Sequence, residues 1–483
     1  MPNITELEPK LLWKHFNEIR KIPRCSKHEE KIREYILSFG KKYDLPIKTD
    51  NAGNIVITKQ ASPGYHNKPI VILQGHMDMV CAKNSDIDHD FSRDPIQIQI
   101  TGDTLTAQGT TLGADNGIGI AAGLAILEDT ALKHGPLEVL FTVDEETGLT
   151  GAFALKSDML SGHFMLNLDS EDFGVITVGC AGGGDSQITL PISQETLEKN
   201  MTGLKIRVTG LRGGHSGVDI HEQRGNAIKI LARILWITTT KFSIKISHIQ
   251  GGDKHNAIPR ESMALISLPI NKKDDVINFI REQEKNIHNE IFAIDPKFKI
   301  EITENTDMEK ALTNDSHHHL LNLLHGLPHG IQKMSYDIPD LVETSTNLAT
   351  VSLKGDSANI GLSSRSSISS ALQNLRDQIH ALATLAGASV TEETPYPGWK
   401  PDLNSPLLKL SKTIFKEMFS KVPKVEAIHA GLECGIIGEK FPGMDMISIG
   451  PTIKYPHSPE EQVHIKTVEK FYHYVLTILE KIS

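Results

Sequence analysis

The sequence contains no uninterrupted apolar run long enough to span a bilayer, which argues against a membrane-embedded protein. It has no excess of basic charge. Fifty Lys and Arg stand against 60 Asp and Glu, a formal net charge of −10. No positive field would therefore draw in the phosphates of a nucleic acid. Cysteine is scarce. The four residues Cys25, Cys81, Cys180 and Cys434 lie far apart with no CxxC pair. That spacing fits reduced thiols in a cytoplasmic protein better than a disulfide frame or a zinc ribbon. The stretch MPNITELEPKLLWKHF has no basic leader followed by an apolar core, so no secretory signal is expected. What is present is the composition of a soluble globular protein, 39% hydrophobic and 23% charged. At 483 residues the chain is too long for one ordinary core, so two domains are expected.

The first third alternates helical and strand patterns, with helices over 11–22, 28–39 and 117–127. Strands are expected over 54–58, 69–74, 137–143 and 164–168, the pattern of an α/β domain with buried central strands. Glycines then interrupt the pattern in CAGGGDSQITL. From residue 203 the order becomes strand 204–208, helix 222–236, strand 242–248, strand 263–269, helix 274–291 and strand 299–303. That βαββαβ order is the ferredoxin-like arrangement. A looser second version follows: a helix near 318–324, strands 348–353 and 358–362, helix 368–385 and strand 388–392, its first strand missing or shared. The Pro- and Gly-dense TPYPGWKPDLNSP, 394–406, reads as a linker. After it α/β patterning resumes with helix 407–419 and strands 425–428 and 446–449. In the final amphipathic helix Val468, Phe471, Tyr472, Val475, Leu476 and Leu479 share one face. The tail therefore reads as more of the first domain, and the middle domain as an insertion.

The chemistry gathers at strand ends. In LEVLFTVDEETGLTGA a β-rich run stops in three consecutive acids, Asp144, Glu145 and Glu146. Like charges so close to a buried strand repel one another and lose hydration. Either they are solvated in a loop or something positive lies among them. The strand PIVILQ runs into GHMDMV, where His76 and Asp78 at i and i+2 can face one pocket. FMLNL ends at Asp169, and Asp115 in GADNGIG directly precedes a helix start. His457 lies in a Pro-rich loop before the last helix. In parallel-rich sheets, the carboxyl ends of strands form the usual ligand crevice. Two histidines and several carboxylates there are a donor set for zinc or a similar divalent ion. A pair of such ions would need a bridging carboxylate, would stabilise Glu145 and Glu146 together, and would leave one acid free as a base. Each piece has a bland alternative: turn chemistry for the HxD, a solvated loop for the acids, and a helix cap for Asp115. The coincidence at successive strand ends is what carries weight.

The ordered set GHMDMV, GADNGIG, DEETGLTGA, NLDSED, GGHSG and YPHSPEE resembles the di-zinc peptidase family that includes aminoacyl-histidine dipeptidases. The resemblance covers essentially the whole chain. It implies an α/β, mixed-sheet catalytic domain over 1–183 and 397–483, interrupted by a doubled ferredoxin-like α+β lid and dimerisation domain over 184–396. It implies His76 and Asp169 as ligands of one zinc, Glu146 and His457 of the other, and Asp115 as their bridge, with Mn or Co as possible substitutes. Asp78 would orient His76, and Glu145 would be the general base. In the lid, His215 resembles the histidine that stabilises the oxyanion. Asn256, Arg365 and the HAGLECG loop at Gly431, placed in the catalytic domain, resemble substrate contacts. The implied activity is metal-dependent hydrolysis of dipeptides, preferring Xaa-His such as β-Ala-His, by a cytoplasmic enzyme that can form a homodimer.

Other features read as structural. The run His317–His319 follows Asn314, Asp315 and Ser316, a helix start, and is expected to be a solvated helix end. GIGIAAG lacks the third-glycine spacing of a dinucleotide fingerprint, which makes a nucleotide-binding oxidoreductase a poor rival. GGHSG fails the serine-hydrolase elbow. Cys81 and Cys180 read as small buried hydrophobes. The remaining rivals are a related di-metal hydrolase for acyl groups or tripeptides, and a peptide-binding relic without catalysis. Retention of Glu145 beside every proposed ligand speaks against the relic.

Overall fold

The structure is a computed structural model describing residues 4–305 and 308–483. The expected catalytic domain begins at residue 1, so its first three residues lie outside the described ones, as do residues 306 and 307 of the expected lid. The chain divides into one unit of Met1–Cys180, Trp399–Ala427 and Leu432–Ser483, and another of Ala181–Gly398 and Ile428–Gly431. The middle unit is an insertion in the first. Residues 428–431 belong with the inserted unit, which moves Gly431 out of the catalytic domain where the sequence reading had it. Four residues between two β/α elements carry no compositional mark of such an excursion.

The first unit is built on an eight-stranded mixed sheet. Its order is Ile47–Thr49, Ile55–Lys59, Leu137–Thr142, Val71–His76, Phe164–Asn167, Asp445–Ser448, Val175–Cys180, Lys424–Ile428. Three elements position the site. Strand β1 (Val71–His76) is buried along its whole length. Helix α1 (Ala114–Glu128) is buried from Ala114 to Leu127, as a helix apolar on all sides must be. Strand β2 (Leu137–Thr142) is also buried throughout. With strand β3 (Phe164–Asn167), β1 and β2 form a parallel set, β1 pairing with both neighbours. Parallel pairing brings the carboxyl ends of all three to one edge, so His76, the acids after Thr142 and Asp169 after Asn167 share that edge. The last helix, Ile465–Lys481, buries Val468, Phe471, Tyr472, Val475 and Leu479 as expected. Tyr474 and Ile478 join them, while Leu476 is only half-buried.

The second unit is a nine-stranded sheet. One half runs in the order Lys299–Glu304, Met201–Thr209, Ser262–Pro269, Lys245–Gly251, which is the 4-1-3-2 order of a ferredoxin-like fold. The other half runs Val342–Lys354, Ser357–Ser366, Gly182–Pro191, Ser389–Glu392, the same order from the opposite side. The strand missing from the second repeat is thus Gly182–Pro191, supplied ahead of the first repeat. The two halves join through antiparallel pairing of Gln250 and Gly251 with Ser352 and Val351. The helix expected from residue 222 begins at Ala227, because Asn226 caps it by accepting from the Ile228 and Lys229 amides.

Two further expectations are corrected. Cys25 and Cys81 form a disulfide with Cα atoms 5.6 Å apart, and both are half-buried. A parallel bridge between Cys25 and Met79 brings together residues whose separation of 56 gave no pairing signal. Cys180 and Cys434 are buried free thiols. His317 is not solvated: its Nδ1 accepts from the Ile246 amide at 3.1 Å and its Nε2 meets Thr239 Oγ1 at 3.0 Å. Only His318 and His319 face water. Among the described residues, no helix is long and apolar enough to cross a membrane.

Candidate metal centre and active site

The three acids after β2 separate at the backbone. Asp144 adopts a left-handed conformation (φ 49°), which Asp tolerates better than most residues. Its carboxylate turns back onto Thr147 Oγ1 at 2.5 Å and Thr150 Oγ1 at 2.6 Å. Glu145 and Glu146 then open a single helical turn, Glu145–Gly148. Their amides are held by one carboxylate: Glu145 N donates to Asp78 Oδ1 at 3.0 Å and Glu146 N to Asp78 Oδ2 at 3.2 Å. Asp78 is fully buried, accepts Ser26 Oγ at 2.8 Å, and lies 3.3 Å from His76 Nδ1. Burial pushes its carboxyl up, but bonds from His76 and the other donors outweigh this and bring it to about 2.

Asp115 lies at the centre. Its Oδ1 is 3.1 Å from His76 Nε2 and its Oδ2 is 3.1 Å from His457 Nε2. His76 Nε2 is also 3.3 Å from Asp169 Oδ1, and His457 Nε2 is 3.0 Å from Glu146 Oε2. Of four groups of potential ligand atoms among the described residues, two share Asp115: His76, Asp115 and Asp169 in one, Asp115, Glu146 and His457 in the other. Within each, the atoms lie within 4.8 Å of one another. One carboxylate belongs to both.

Electrostatics follow the crowding. Burial opposes charge on His76, yet Asp169, Asp115 and Asp78 hold its imidazolium well above the ordinary value. Bonds to Asp115 and Glu146 raise His457 to about 11. Burial lifts Asp169 to about 6 against the pull of His76. Burial also drives the Glu145 carboxyl well above its usual range; His76 draws it back, while Asp169, Glu433 and Glu146 add to the rise. Like charges are thus being offset by protons on imidazoles and acids. Divalent cations would replace those protons at once. Glu146 Oε1 and Asp169 Oδ1 are moreover buried without a hydrogen-bond partner, the latter close to His76 but not aligned for a bond. Two imidazoles, a shared carboxylate and two orphaned carboxylate oxygens fit a pair of divalent ions.

In the second unit, His215 Nδ1 accepts the amides of Gly217 at 3.1 Å and Val218 at 3.0 Å. That leaves its proton on Nε2, a fixed donor. Burial, together with the Arg365 cation, keeps this imidazole below its usual value and so neutral. Arg365 is nearly buried and donates from Nη1 to Tyr396 Oη at 2.8 Å. Asn256 is exposed, and its backbone carbonyl accepts Ser216 N at 2.8 Å. A Cβ on Gly431 would stand 3.1 Å from Tyr396 Cε2.

Sequence reasoning missed three buried charges near the first cluster. Glu433, in the HAGLECG stretch, accepts Gln74 Nε2 at 2.6 Å and Thr142 Oγ1 at 2.8 Å, and burial pushes it to about 7. A signal was available: Gln74, Thr142 and Asn167 are polar residues near the carboxyl ends of buried, largely apolar strands. Arg24 and Glu461, both 2% exposed, have no role in the sequence reading.

The family model described as peptidase family M20/M25/M40 matches residues 72–481. The chain is 39% identical over 482 residues to the cytosol non-specific dipeptidase of Escherichia coli (strain K12), covering 100% of this chain and 99% of that one. Its structure superposes on the crystal structure of aminoacylhistidine dipeptidase from Vibrio alginolyticus with a TM-score of 0.95. That match has 39% identity and covers 100% of this chain and 98% of that one. A tripeptidase from Staphylococcus aureus subsp. aureus mu50 shares the fold, at a TM-score of 0.56 and 17% identity, covering 99% of each chain.

Proposed function

The chain belongs to peptidase family M20/M25/M40, and from that premise we propose that it is a metallo-dipeptidase whose substrates include Xaa-His dipeptides such as β-Ala-His. The observation carrying the reading is the single carboxylate, Asp115, spanning two imidazole–carboxylate clusters beside a free acid, Glu145. His76 and Asp169 would hold one divalent ion and Glu146 and His457 the other, with Asp115 between. Zinc is the proposed native metal, with Mn or Co as substitutes. Bound there, such ions would supply Lewis acidity, polarising the scissile carbonyl and acidifying a nearby water.

The remaining steps fall to the chain's own groups. Asp78, 3.3 Å from His76 Nδ1, would orient that ring as its nearest carboxylate, and by holding two amides it sets the turn that presents Glu145 and Glu146. Glu145, with its carboxyl raised by burial, is suited to take a proton from the attacking water and return it to the leaving amine. His215, neutral and carrying its proton on Nε2, is the proposed donor to the oxyanion. Arg365, Asn256 and Gly431 are the proposed contacts for the substrate backbone and its carboxylate.

The E. coli relative is described as non-specific and the Vibrio protein by aminoacylhistidine substrates. A dipeptidase that accepts Xaa-His among several dipeptides is consistent with both. A cytoplasmic location is proposed after the E. coli relative. The Cys25–Cys81 disulfide is the feature that pulls the other way. The test is hydrolysis of β-Ala-His, Gly-His, a tripeptide and an N-acyl amino acid, each with and without chelator. Cleavage of the dipeptides alone, abolished by chelator and restored by metal, is expected. Preference for the tripeptide or the acyl substrate would transfer the reading to a related hydrolase.

A further inference from the structure

Glu461 lies four residues beyond His457 and is 2% exposed. Its carboxylate accepts four consecutive amides: Oε2 takes Leu112 N at 2.7 Å and Gly113 N at 2.9 Å, and Oε1 takes Ala114 N at 2.8 Å and Asp115 N at 3.2 Å. An N-cap side chain ordinarily satisfies one of a helix's orphan amides. Here every amide leading into Asp115 is taken. The carbonyl side of the same segment is also held: the buried Arg24 donates from Nη2 to Gly113 O, and from Nη1 to Met77 O at 3.1 Å and Asp78 O at 2.6 Å. Arg24 thus ties the segment to the turn after His76. Glu461 ties it to the turn of His457, since its own amide donates to Ser458 O at 3.0 Å. A third tether, Asn116 Nδ2 to Leu168 O at 2.7 Å, reaches the residue before Asp169.

We propose that Glu461 is a positioning residue that fixes the shared carboxylate of Asp115 against His457, so that binding of the second metal ion depends on it more than folding does. The inference rests on the two-metal reading above. Both oxygens of Glu461 are fully committed to amides. In Glu461→Gln, one N–H pair would therefore face an amide N–H₂, and the segment would shift. The ligands His76 and Asp169 are on other strand ends and keep their own supports.

The test uses the full chain, stripped of metal and titrated with Mn²⁺, counting bound ions and affinities by equilibrium dialysis and following the exchange-coupled electron paramagnetic resonance signal of a carboxylate-bridged pair. Wild type is compared with Glu461→Gln, Glu461→Asp and the exposed neighbour Glu460→Gln. In Glu461→Gln the first ion keeps His76 and Asp169 and shares only Asp115 with the displaced segment, so it should weaken less than the second. The second should bind at least about tenfold more weakly, the scale on which outer-shell partners act on metal affinity. The coupled signal should vanish at stoichiometric metal, Glu461→Asp should recover part of it, and Glu460→Gln should match wild type. Wild-type affinity for both ions would overturn the proposal. So would equal weakening of both ions alongside a fallen melting point of the metal-free protein, the behaviour of a plain helix cap. If Glu461→Gln fails to fold, the same first-against-second comparison on Glu461→Asp decides. Wild-type protein binding fewer than two Mn²⁺ would instead remove the two-metal reading and this inference with it.

Discussion

Replacing Asp78 by Asn changes one oxygen to nitrogen in a residue with no solvent exposure. In the native site Oδ1 faces the Glu145 amide and His76 Nδ1, and Oδ2 faces Ser26 Oγ and the Glu146 amide. All four partners are donors as found, and only the Ser26 hydroxyl can turn to accept. The best orientation of the new amide therefore puts its N–H₂ toward Ser26 and strands the Glu146 amide. A buried N–H left unpaired costs about 1–3 kcal/mol, which should appear as lost stability of the metal-free protein. The His76 ring also loses a charged acceptor, and loss of such an outer-shell partner lowers metal affinity roughly 10–100-fold, or about 1.4–2.7 kcal/mol. Denaturant unfolding of metal-free protein and metal competition against a chromophoric chelator read the two effects separately. Wild-type stability together with wild-type affinity in the variant would refute the placement of Asp78 as the common anchor of His76 and the Glu145 turn.

Glu145→Gln should retain the wild-type metal count by elemental analysis while turnover falls about 10²–10⁴-fold, the range for a lost acid–base group. Metal loss with full activity would overturn both assignments. His317 should govern acid stability of the second unit, since burial, with help from His318 and Lys245, lowers it from 6.5 to about 4. Between those values the unfolded chain binds the proton and the folded one does not. Stability is therefore complete above pH 6.5 and declines as pH falls toward 4, by roughly 3 kcal/mol for this group. Urea unfolding from pH 7.5 to 4 should show a shallower decline in His317→Gln, and an identical slope would contradict the burial argument. Gly450→Ala would drive a Cβ into the Ser170 carbonyl beside Asp169. It should cost about 1–3 kcal/mol in denaturant unfolding and weaken metal binding; a neutral outcome would show that this loop yields freely.

The parts of the fold carried by periodicity could be read from sequence. Alternation of strand and helix patterns marked the first unit, and βαββαβ order marked the first ferredoxin-like half. What escaped was non-local. Gly182–Pro191 precedes the repeat it completes, and only sheet pairing shows where it belongs. The Cys25–Cys81 pair depends on a tertiary bridge. The candidate ligands were legible because strand ends announce themselves in sequence. Their supports were not, because Arg24, Glu433 and Glu461 differ from surface charges only by burial. Ser26 and the αL turn at Asp144 likewise carry no motif, although they aim the acids that the motif supplies.

The proposed pair of ions, shared through Asp115, would take the place of the protons that offset the acids around His76 and His457. Anomalous diffraction at the absorption edge of the metal found in purified active protein tests this most directly. Two peaks are expected, one against His76 and Asp169 and one against Glu146 and His457, with Asp115 touching both. No peak among these five residues in active protein, or a single one out of reach of Asp115, would contradict it.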